Sequence, residues 1–219
     1  MSRESRWVLP RTLVAALAAA GLAIGLGSGL TGCKGSSQTK VSGGPPVSES
    51  TLTGAPATAT ADAGGDPLAL SFEGFDQTED QGWRALSHQE RWKEAGELID
   101  RYIAVHPELT AWQLLPLNFH AGQMYAFAGE DDIARVRFSR SLIPNQRPDA
   151  PIQWNAYVLA TIAFLEGDIA TLQQSREVIL GGATVQGCKP NLNIVNSLIA
   201  NLGKPYREAY QAAGPPTLR

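Results

Sequence analysis

The chain has little of what enzymes and nucleic-acid-binding proteins usually display. It holds three histidines (His88, His106, His120), two cysteines (Cys33, Cys188) and two methionines among 219 residues. The histidines fall on separate segments, with no His-x-x-x-His pair and no neighbouring carboxylate at ligand spacing, so no zinc site is expected. Gly-x-Ser-x-Gly elbows, phosphate loops and dinucleotide fingerprints are missing. The sequence therefore names no catalytic residue, metal or cofactor, and reads as a non-enzyme. Its 18 basic side chains are outnumbered by 21 acidic ones, which excludes the electrostatic footprint of a nucleic-acid binder. Period-two alternation of apolar and polar residues is absent, which argues against a sheet. Two cysteines make no disulfide framework, so a folded domain must depend on packing.

What is present begins at the first residues. Arg3, Arg6 and Arg11 precede an uncharged run from Thr12 to Leu30, the layout of a secretory signal. The run ends at Leu30-Thr31-Gly32-Cys33. This ending resembles the lipobox of bacterial lipoproteins, in which an apolar residue and two small ones precede a cysteine that is lipidated before the signal is cut away. The resemblance implies a signal over 1–32, lipid on Cys33, and a membrane as partner. Lys34, rather than an Asp, favours the outer membrane facing the periplasm. An uncleaved membrane helix is the rival reading, since Thr12–Leu30 approaches spanning length. Six glycines between Gly21 and Gly35 weigh against such a helix.

Residues 33–66 comprise the candidate lipidated cysteine and a segment of Ser, Thr, Gly, Ala and Pro with almost no large apolar side chain. Such a composition cannot bury enough surface to fold, and reads as a disordered tether with a reach on the order of 30 Å. Cleavage before Cys33 would remove Arg3, Arg6, Arg11 and Glu4, leaving 15 basic and 20 acidic side chains. From Pro67 to Arg219 there are 153 residues, enough for one domain with a core.

That domain reads as all-α. Over Trp92 to Pro107, Trp92, Ala95, Ile99, Tyr102 and Ile103 share one helical face and Pro107 marks the stop. A second run, Phe119 to Ala128, turns at Gly129-Glu130-Asp131-Asp132 and resumes over Ile133 to Leu142, predicting an antiparallel helix pair. The acidic run suits a helix start, where it complements the backbone dipole. A third pair is expected over Trp154 to Leu180, turning at Gly167-Asp168, and a fourth over Leu192 to Tyr210, turning near Gly203-Lys204-Pro205.

Gly122 is followed by Tyr125, Gly129, Ala134 and Phe138 at three, seven, twelve and sixteen residues. This spacing resembles the tetratricopeptide repeat, and Ala95, Ile99 and Pro107 match the second half of the same pattern. The turns recur 38 and 36 residues apart against a family period of 34, and Leu172 stands where Ala is expected, which implies degenerate repeats. The resemblance implies helix hairpins stacked as a short α-solenoid, from about Thr78 to Tyr210. In that family the first helix of each hairpin lines the inner surface. Phe119, Gln123, Phe127, Trp154, Tyr157, Thr161, Asn193, Ser197 and Asn201 would then lie there.

The corresponding site is a groove made of Gln123, Trp154, Tyr157, Thr161, Asn193, Ser197 and Asn201. Amide side chains pair with peptide backbone, and Trp and Tyr supply area at low entropic cost. The competing role for Trp154 and Tyr157 is to fill the seam between hairpins. Cys188 sits in a Gly-rich connection where a thiol is either exposed, as a redox-sensitive site or a partner in an intermolecular disulfide, or buried and passive. Lys204-Pro205-Tyr206-Arg207 reads as a basic loop or, because of Pro205, as the start of the last helix. The expected function is a membrane-anchored interaction or scaffold module for a protein or peptide in the cell envelope. A small-ligand binder, or an enzyme subunit using His120 or Cys188, is the alternative.

Overall fold

A computed structural model describes residues 65–214. The expected signal, Cys33 and nearly all of the expected tether lie outside the described residues. Eight α-helices follow one another: α1 (Gly82–His88), α2 (Trp92–Val105), α3 (Ala111–Phe127), α4 (Asp131–Arg140), α5 (Trp154–Glu166), α6 (Ile169–Gly181), α7 (Leu192–Ala200) and α8 (Tyr206–Gln211). A 3-10 turn at Pro67–Ala69 and a π turn at Glu73–Gln77 precede them. There is no strand among the described residues, only an isolated antiparallel bridge between Val185 and Cys188. The domain is all-α, and no helix among the described residues is long and apolar enough to cross a membrane.

Local chemistry explains where the helices start and stop. Asp66 opens the fold by accepting the amide of Leu68 at 2.9 Å. α2 buries Trp92, Ala95, Ile99 and Tyr102 along one stripe, with Ile103 partly covered, and stops ahead of Pro107. α3 begins at Ala111, eight residues before the start read from the sequence. Thr110 and Gln113 close a capping box there, satisfying amides that would otherwise lack partners. Pro116 lies inside α3 and obscures this start in the sequence, because proline removes a backbone bond. Burial of Leu115 and Leu117 on the same turn offsets that loss. α4 carries Asp131 and Asp132 in its first turn and Arg137 and Arg140 in its last, each sign matched to the dipole. α5 ends on Gly167 at φ +73°, and Asp168 caps α6 through the amide of Thr171.

Every helix packs on its successor, most extensively α2 on α3, α3 on α4, and α5 on α6; α5 also meets α7, and α3 meets α8. The closest approach is at Gly122, where an added Cβ would lie 2.8 Å from the ring of the buried Phe138. α3 and α4 can sit together because no side chain intervenes. Arg137 bonds Asp100 at 2.7 Å and ties α4 to α2. Phe119 links α3 to α5 through ring contacts with Trp154 and Tyr157 at 4.9 and 5.1 Å. On the amino-terminal side, Phe75 stacks on Tyr102 at 3.7 Å, and the Tyr102 hydroxyl donates to the carbonyl of Leu70 at 2.9 Å. The segment before α1 is thereby part of the core.

Candidate binding groove

α3, α5 and α7 present three rows of side chains at helical spacing; six of the seven expected groove residues belong to them, and Asn201 caps the end of α7. Gln123, Trp154, Tyr157, Thr161 and Ser197 are buried, and Asn193 and Asn201 are partly covered. They line a seam rather than an open surface, because α8 lies in it. Tyr206 packs on Phe127, Phe138 and Phe164 at 5.7, 6.2 and 5.8 Å, and Tyr210 packs on Phe127 at 5.5 Å. Together with Ala209 these tyrosines form the buried face of α8, an i, i+3, i+4 set of anchors. Pro205 caps α8, so the expected basic loop is a helix start.

α7 holds the backbone of this segment. Ser197 Oγ donates to the carbonyl of Ala209 at 2.7 Å, and Asn193 Nδ2 donates to the carbonyl of Gly214 at 2.7 Å. Both acceptors belong to the end of α8 and the residues after it, where carbonyls have no partner within the helix. Asn201 acts differently: its Nδ2 donates to the Ser197 carbonyl at 2.9 Å, and its Oδ1 accepts from Lys204 at 3.0 Å. Trp154 is committed to the scaffold, with Nε1 donating to the Ser141 carbonyl at 2.7 Å. Thr161 donates to the carbonyl of Tyr157 within α5 at 3.0 Å.

At the centre of the seam, polar atoms are closed off from solvent. Gln123 Nε2, Tyr157 Oη and Tyr206 Oη are buried and make no hydrogen bond of good geometry, although Tyr157 lies close to Tyr210, and Tyr206 to Gln123 and Thr161. Burial pushes the hydroxyls of Tyr157 and Tyr206 well above the ordinary tyrosine range, and raises that of Tyr210. All three are neutral at physiological pH. Where the α3 and α5 ends meet the start of α8, a crevice of 710 Å³ opens, lined by Phe127, Phe164, Tyr206, Glu166, Lys204 and Arg207 among others. Its charges are of both signs.

A second built cluster lies on the other side of α3. The Asp76 carboxylate is fully buried and accepts from Trp83 Nε1 at 3.0 Å, from His120 Nδ1 at 2.7 Å, and from Gln77 Nε2. Arg84 donates to the Asp76 carbonyl at 3.0 Å and lies 4.4 Å above the Trp83 ring. Burial raises the Asp76 carboxyl, but the His120 charge and hydrogen bond, Arg84 and the Trp83 bond outweigh it and hold the carboxyl below its usual value. The pair is closed to solvent, with exposures of 2% for His120 and 0% for Asp76, and fastens the segment before α1 to α3. Asp76 has no signal of its own in the sequence: its partner stands 44 residues away.

The remaining histidines also hold carboxylates, His88 with Asp80 at 2.8 Å and His106 with Glu108 at 2.6 Å. No group of three metal-ligating side chains exists among the described residues. Cys188 is 5% exposed, and no described cysteine is a free thiol. An exposed, unpaired, redox-sensitive Cys188 is therefore not retained. The chain matches no family model, and no curated protein or solved structure is significantly similar to it.

Proposed function

We propose that this chain is a bacterial lipoprotein, anchored through lipid on Cys33, whose degenerate tetratricopeptide-like hairpins form an interaction module for a protein or peptide in the cell envelope. The outer membrane facing the periplasm is the favoured location. One observation carries the binding part of this reading: Ser197 and Asn193 donate to main-chain carbonyls of a peptide segment that lies against aromatic rings of α3 and α5. Amide and hydroxyl donors beside aromatic walls fit a surface that recognises a chain by its backbone and a few anchors. The spacing of Gly122, Ala134 and Phe138, with the close approach at Gly122, supports the repeat reading.

A photocrosslinking residue placed at Lys204, on the exposed rim of the seam, should capture a defined envelope partner in cells. The same residue at Val178, exposed on α6, should not. Ser197→Ala should reduce the Lys204 adduct without changing protein level. Equal capture from both positions, or none from either, would remove the module reading.

A further inference from the structure

We propose that α8 is an exchangeable occupant of the groove, displaced by a partner helix carrying an aromatic, a small and an aromatic residue at i, i+3 and i+4. The inference rests on the interaction-module reading and names the class of ligand and how it gains entry.

Three features of the molecule lead to this. α8 has six residues, fewer than the length at which a helix persists in water without tertiary support, so it is helical because the groove holds it. It is joined to α7 through Gly203, at φ +87°, and Pro205, so the chain bends at a left-handed glycine between the two helices instead of continuing one into the other. Its seat is imperfectly matched. Gln123 Nε2 and Tyr157 Oη lie buried beneath it without a well-formed hydrogen bond, as does Tyr206 Oη on α8 itself, and unmet polar groups weaken an interface relative to one that satisfies them. A partner helix offering acceptors at those positions would hold the seat more strongly than α8 does.

The way the groove grips α8 defines the ligand. Ring contacts with Phe127 and Phe164 set the aromatic positions. Ala209, fully buried, sets the small one. Ser197 and Asn193 bond carbonyls at and beyond the helix end, so the ligand is a helix whose carboxyl-terminal turn is open rather than one that continues. Until a competitor arrives, α8 covers the aromatic surface. The device combines a binding site with a built-in guard, because a tethered occupant competes at high effective concentration.

The probe is a fluorescent synthetic peptide of residues 204–214, titrated by anisotropy into the full mature chain and into its Tyr206→Ala, Tyr210→Ala double variant. The double variant should bind the peptide at least about tenfold more tightly than wild type, because its own α8 no longer competes. In wild type, amides of 209–212 should exchange with deuterium at least about tenfold faster than those of 158–161, reporting opening of α8 alone. If the double variant fails to fold, the wild-type exchange decides. Equal protection of the two segments, or a folded double variant that ignores the peptide, would overturn the proposal. A concentration-dependent dimer of wild type in which α8 seats on the neighbouring copy would also overturn it, by giving the seat to a second copy. A partner crosslinked at Lys204 while α8 stays closed would leave the module reading intact and remove only the exchange.

Discussion

Asp76 accepts a hydrogen bond from Nδ1 of His120 at 2.7 Å, with neither side chain reaching solvent. Its carboxyl lies below the usual 3.8, with burial opposing and His120, Arg84 and Trp83 outweighing it. A carboxyl that binds protons less tightly in the folded state adds stability that is complete above the unfolded value and is lost as pH falls through the folded one. Urea unfolding should therefore weaken from about pH 5 downward in wild type, and this part of the slope should vanish in Asp76→Ala. The same variant should lose about 3–5 kcal/mol at neutral pH, because it strands Trp83 Nε1 and His120 Nδ1. A variant as stable as wild type would show that the cluster does not fasten the amino-terminal segment.

The approach of α3 to α4 gives a steric prediction. Gly122→Ala places a methyl carbon 2.8 Å from the Phe138 ring, and Ala134→Leu adds volume at a fully buried site on α4. Each should cost about 1–3 kcal/mol by overpacking, read as a lower melting temperature with unchanged helical dichroism. Unchanged melting of both would mean that these helices are not held at the spacing described.

Tyr157→Phe should behave in the opposite sense. The hydroxyl is buried and makes no hydrogen bond of good geometry, so its removal relieves desolvation and leaves the ring packing on Phe119 in place. Stability should rise, or change by less than about 1 kcal/mol. A loss above about 2 kcal/mol in urea unfolding would show that the hydroxyl is bonded in solution.

Cys33→Ser should release the mature domain from membranes or leave an uncleaved precursor, with the dichroism and melting of residues 67–219 unaltered. Fully processed protein retained on membranes as before would remove the lipid anchor.

Much of the helical architecture can be read without coordinates. Trp92, Ala95, Ile99 and Tyr102 repeat at three and four residues and are all buried. Gly129 and Gly167, at φ +78° and +73°, stand at turns that left-handed backbone requires and glycine supplies most readily. The start of α3 was hidden because Pro116 reads as a break, whereas the Thr110 capping box and burial of the first turns outweigh it. The expected groove residues fall on α3, α5 and α7 or, for Asn201, at the cap of α7, but nothing in their spacing reveals that α8 covers them. Ser197 meets Ala209 only after the chain reverses at Gly203.

That the domain is built of helices, roughly where most of them break, and which stripe of each must be buried are all legible in the chain, because they follow from neighbours three and four residues apart. What covers those stripes is fixed by long-range packing. It put α8 over the seam of α3, α5 and α7, and joined Asp76 to His120. Periodicity specifies a face to be removed from water, not which distant segment removes it. Competition among packed surfaces, which no local pattern records, settles that choice.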